Sequence, residues 1–142
     1  MAPSNQRTTA MEEIASNMRR IALATHPLLD ELVLSPFPGE RLAAITILQV
    51  FSAEKYLDFL TELVGSEKPF VGYHAIRALR FAVDSLEPSA YSHLIKALEA
   101  ASVRLEQAAV GFDTDRQKLL RDAKEQLRIK METLSASPNS FD

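Results

Sequence analysis

The sequence predicts an all-α fold of antiparallel helical hairpins stacked side by side, and three observations carry that expectation. Apolar residues recur at the three- and four-residue spacing of amphipathic helices. Prolines, capping residues and short polar loops punctuate those runs where helices should begin and end. The middle of the chain also matches itself at a spacing of 31 to 35 residues. With 142 residues, 46% of them apolar and 25% charged, the composition suits one ordered domain. Its expected bounds are 9–134, between a disordered segment 1–8 and a flexible tail 135–142.

The elements follow in order. Thr9 to Ala24 places Met11, Ile14, Ala15, Met18, Ile21 and Ala22 on one stripe, and Thr9 with Glu12 forms a capping box at its start. His26-Pro27 ends that helix, because the residue before a proline is pushed out of helical geometry. Leu28 to Leu34 is long enough for two helical turns, and Ser35-Pro36-Phe37-Pro38-Gly39 is a loop.

From Ser35 the repetition begins. Ser35, Pro38, Ala44 and Leu48 match Ser66, Pro69, Ala75 and Leu79 at an offset of 31 residues. Past a longer second loop around Asp84 to Pro88 the offset becomes 35, and Tyr56, Phe59, Leu60 and Leu63 match Tyr91, Leu94, Ile95 and Leu98. An insertion confined to a loop is what two copies of a helical hairpin tolerate, so repeat units are expected at about 35–65 and 66–101. Each opens with a proline in the first helical turn, where its missing N–H costs nothing. Ala43, Ala44, Ala75 and Ala78 are the small residues that let neighbouring helices approach. A long helix from Ser89 to Val110 follows, broken by Gly111 to Asp113. A final helix opens at Thr114 with Gln117 and carries Leu120, Leu127 and Leu134 on its apolar face.

The segments Gly39 to Leu48 and Val71 to Leu79, with a small residue near the middle and the Ala78-Leu79 pair, resemble the first helix of a HEAT or armadillo repeat. That resemblance implies a short right-handed α-solenoid with the N- and C-terminal helices as caps, and a protein that works by binding. The run Glu67 to His74 also resembles helical adaptor modules attached to bacterial signalling and effector proteins.

Composition removes several chemistries. Without cysteine the chain has no thiolate nucleophile, disulfide or cysteine-ligated metal. Phosphate-cradling glycine loops and the nucleophile elbow are missing, and no cofactor is expected. The longest nearly apolar run, Leu42 to Phe51, is far short of a membrane span, and the polar start does not read as a secretory signal, so the expected setting is cytoplasmic. None of His26, His74 and His93 has a partner at metal-ligand spacing.

Two charged clusters and two aromatic residues stand out. Glu54, Asp58 and Glu62 recur every four residues and make an acidic ridge on the second helix of the first repeat. Like charges so placed repel, so solvent, salt, a basic neighbour or a partner must compensate. They rise about 6 Å per turn and cannot converge on one metal ion. Phe37 and Phe70, beside Pro38 and Pro69, are either anchors for a partner or staples into the following helix. The other aromatic residues of the repeat segment, Phe51, Tyr56, Phe59, Tyr73, Phe81 and Tyr91, are expected in the core. His74, Arg77 and Arg80, joined by Arg41, form a candidate basic patch, but residues 69–101 carry three basic and three acidic side chains and the net charge is −3. That balance argues against nucleic acid.

The expected function is a non-catalytic protein-interaction or adaptor module, its partner offering a basic segment to Glu54, Asp58 and Glu62. A homodimer through Leu120, Leu127 and Leu134 of the C-terminal helix would cover any exposed apolar face. The alternatives are an enzyme using a carboxylate, Asp58 or Glu62, in a cleft, and a nucleic-acid scaffold using Arg77.

Overall fold

The computed structural model describes residues 26–65, 68–107 and 114–136, together with Asn17 and Arg20. Apart from Asn17 and Arg20, the expected helix from Thr9 to Ala24 lies outside them, as do the break from Gly111 to Asp113 and the terminal segments 1–8 and 137–142. The described residues are helices and their connections, with no strand among them. The chain divides into two compact units, residues 1–51 and 52–142.

In the first unit a 3-10 turn, His26–Leu28, leads into α1, Leu29–Leu34, and after a short loop into α2, Pro38–Leu48. α1 packs on α2, and Leu29, Ala44, Ile45 and Leu48 are buried. Pro38 sits in the first turn of α2, and Phe37 before it is extended. Ser35 organises the loop: its Oγ accepts the Phe37 N–H at 3.1 Å and donates to Glu40 Oε2 at 2.6 Å. Its carbonyl accepts from Arg41 Nη1 at 3.0 Å, so Arg41 is engaged locally.

The second unit contains α3, Leu57–Val64; α4, Pro69–Ser85; α5, Tyr91–Gln107; and α6, Thr114–Ser135. Single 3-10 turns, Glu54–Tyr56 and Pro88–Ala90, lead into α3 and α5. α3 packs against α4 and α5, and α6 against α4 and α5, whereas the consecutive α4 and α5 meet little. The result is two layers, α4 with α6 and α3 with α5, the arrangement of an all-α solenoid. Its core is aliphatic, built around Leu57, Leu60, Ile76, Leu79, Leu94 and Leu98. Only Tyr56 among the aromatic residues expected there is fully buried; Phe51, Phe59, Tyr73, Phe81 and Tyr91 are half-buried. Small side chains set the spacing instead. Ala44, Ala75 and Ala78 are buried as expected, while Ala43 is exposed.

The local geometry repeats at the offset read from the sequence. The Phe37 carbonyl accepts the N–H groups of Glu40 and Arg41, and the Lys68 carbonyl accepts those of Val71 and Gly72. Both bonded pairs are shifted by 31 residues, with Pro38 and Pro69 at the same point of their helices.

Two polar contacts fix the second unit. The hydroxyl of buried Thr61 lies 3.0 Å from its own Leu57 carbonyl and 3.3 Å from the Ala97 carbonyl, so one proton is shared between α3 and α5. At the other end of α3, Arg116 of α6 is fully buried and donates from Nη1 to the Val64 carbonyl at 2.9 Å. A cation there satisfies an orphan carbonyl and complements the negative end of the helix. The Arg116 side chain crosses Gly72 in the first turn of α4, where an added Cβ would stand 2.5 Å from both Arg116 Nη1 and the Val64 oxygen. Glycine is required here by space and not by backbone conformation.

Candidate interaction surface

The acidic ridge is assembled from two pieces of backbone. Glu54 opens the 3-10 turn before α3, Asp58 lies in the first turn of α3, and Glu62 one turn further along. His93, in the first turn of α5, reaches across and fills the gap between the first two: Nδ1 is 3.1 Å from Glu54 Oε2 and Nε2 is 3.0 Å from Asp58 Oδ1. Ionised carboxylates only accept, so both bonds form together only when the imidazole carries two protons. The bond to Asp58, against partial burial and helped by the bond to Glu54, holds the His93 pKa above its ordinary value.

His93 is therefore the basic neighbour that the repelling carboxylates required. The bridge leaves acidic surface open, since the Asp58 side chain remains 82% exposed and Glu62 is exposed with no described residue bonded to it. The carboxylates lie at opposite nitrogens of one ring, so the trio holds a proton and does not present a shared face to a metal ion. The pairing spans 35 and 39 residues, beyond any helical spacing rule. A usable signal existed nonetheless: 35 is the offset that aligns Tyr56 with Tyr91, so Asp58 and His93 are equivalent positions on stacked helices.

Within the second unit the other candidate residues are not gathered on this face. Phe37 belongs to the first unit and is 65% exposed, while Phe70, in the opening turn of α4, is 60% exposed. Neither ring is stapled into a core. The Phe70 ring packs edge-on against His74, with centroids 4.4 Å apart, and Tyr73 flanks the same imidazole. Burial, followed by the neighbouring Arg77 charge, lowers the His74 pKa and favours the neutral ring.

Arg80 is also committed, donating from Nη1 to Asp84 at 2.7 Å and from Nε to Asp122 of α6 at 2.9 Å, with Lys130 on the far oxygen of Asp84. These bonds tie α4 to α6. Of the candidate basic patch, Arg77 is the exposed cation. The three leucines expected to mediate dimerisation are divided: Leu120 and Leu127 are 4% and 3% exposed, buried in their own chain, and only Leu134, at 49%, faces outward. Among the described residues no helix is long and apolar enough to cross a membrane.

The family model for HEAT repeats matches residues 25–111, more than half of the 142-residue chain. No curated protein and no solved structure matches the chain.

Proposed function

The chain belongs to the HEAT-repeat family, and from that premise we propose that it is a non-catalytic protein-interaction module, an adaptor that presents the α3–α5 layer to a partner carrying a basic segment. The observation that supports this reading is the bridged carboxylate pair beside an open third carboxylate: Glu54 and Asp58 are held by His93 while Glu62 stands free of described partners. Lysine or arginine of a partner meets Glu62 first and then competes with the imidazolium for Asp58. When His93 loses its proton the two carboxylates are uncompensated and attract a cation more strongly. Binding and deprotonation are thus linked, and affinity for a basic segment rises as pH passes through the raised His93 pKa. The same carboxylates repel phosphate, which places nucleic acid behind protein as a partner of this face.

The test has two arms. A lysine-rich peptide titrated into the full chain should bind more tightly above the His93 pKa than below it, and Asp58→Lys with Glu62→Lys should abolish that binding. Affinity capture from native extract with the same double variant as control should lose the partner. Peptide binding that ignores both the substitutions and pH would defeat the proposal.

A further inference from the structure

On a different side of the second unit, α5 and α6 leave a groove along their shared outer edge. Its apolar part, about 300 Å³, is lined by Ile95, Leu98, Leu127 and Met131, with Glu99 on the α5 rim and Lys124 on the α6 rim. Further along, between Leu105 and Leu120, the rims carry Glu106 on α5 and Arg121 on α6. Arg128 also lines the groove but is engaged by Glu125 and Glu132 of its own helix. The charges are therefore segregated, acidic along α5 and basic along α6.

We propose that a second copy of this chain covers the groove, forming a two-fold dimer whose axis runs parallel to α5 and α6. Rotation about that axis lays α5 of one copy over α6 of the other and preserves height along the helices, so the acidic rim of each copy faces the basic rim of its partner. Glu99 then meets Lys124, and Glu106 meets Arg121, each pair formed twice. A two-fold across the helices would instead set acid on acid and base on base. A groove with one acidic and one basic rim is complementary to itself, which is what an isologous interface demands. The apolar strip between the rims closes into a four-helix arrangement that covers the half-exposed Ile95 and Met131. The contact uses α6, but not through the leucines that its own core has buried.

Sedimentation of the full chain across micromolar to high-micromolar concentration should show a monomer–dimer equilibrium. Glu99→Lys and Lys124→Glu, both at exposed positions, should each weaken self-association by at least about tenfold while leaving the helical circular dichroism unchanged. An equimolar mixture of the two variants should recover a dimer, because every rim pair is again opposite in sign. A chain that stays monomeric, variants that dimerise as the parent does, or a mixture that fails to recover would each overturn the proposal. So would an unrelated helical protein bound in the groove of a monomeric chain.

Discussion

The two stretches that match in sequence, α2 followed by α3 and α4 followed by α5, are entered by the same devices and end very differently. Each first helix starts on a proline preceded by an extended residue, and each second helix follows a single 3-10 turn. Yet α2 has 11 residues where α4 has 17, and α3 has 8 where α5 has 17. Entry is decided locally, by a ring that fixes φ and by the lost N–H. Exit is decided by what the last turns can bury and bond. The final turns of α4 bury Ala82 and Val83 and hold Asp122 and Lys130 of α6 through Arg80 and Asp84. Past Leu48, the N–H groups of Val50 and Phe51 both turn back to the Ile47 carbonyl, and the division between the two compact units falls at Phe51 and Ser52.

That contrast can be broken most forcefully at Gly72, which is equivalent to Arg41 in the first stretch. Gly72→Ala drives a methyl group into Arg116 and the Val64 carbonyl and should cost about 3 kcal/mol in chemical denaturation. A loss below about 1 kcal/mol would mean that α6 does not rest on this contact. Next is His93→Asp, which makes the second copy match the first and sets three carboxylates together. It should destabilise the fold by about 1 kcal/mol at neutral pH, with the loss relieved on acidification, as thermal melts at two pH values would show.

Removing the hydroxyl shared by α3 and α5, with Thr61→Val, should also cost about 1 kcal/mol or slightly less. His93→Gln is smaller still and its sign depends on pH. Because the folded pKa is raised, the advantage of histidine over glutamine is complete below the ordinary value of 6.5 and disappears as pH rises through the folded value. An advantage that persisted at alkaline pH would exclude the doubly protonated bridge. The smallest effect runs in the opposite direction: a Cβ at Gly39 meets nothing within 4 Å, so Gly39→Ala in α2 should stabilise by about 0.5 kcal/mol. Two glycines near the starts of equivalent helices therefore respond to alanine with opposite sign.

Helix starts and the hairpin period were legible because they rest on neighbours in sequence: Pro38, Pro69, Tyr56 and Tyr91 mark them without reference to the rest of the fold. The unequal helix lengths were not, since Arg80 and Asp84 gain partners only when α6 arrives. Arg116 is not legible in the sequence for another reason. Its acceptor is a backbone carbonyl, which no side-chain pattern records, and the trace it leaves is a glycine in the first turn of α4. The acidic ridge is legible as a four-residue period, whereas its compensating histidine is legible only once equivalent positions of successive repeats are placed in contact. The expectation of an aromatic core failed because close helix packing around Ala75 and Ala78 favours small and aliphatic side chains and leaves most rings at the margins.

The Asp58–His93 contact bears on how such arrays can grow. Position 58 lies against its own counterpart one unit on, so perfectly identical copies would confront each other with matching negative charge at every junction. Divergence at that site is thus a condition of stacking as well as a product of drift, and a lengthened descendant of this chain would have to alternate the two residues from unit to unit.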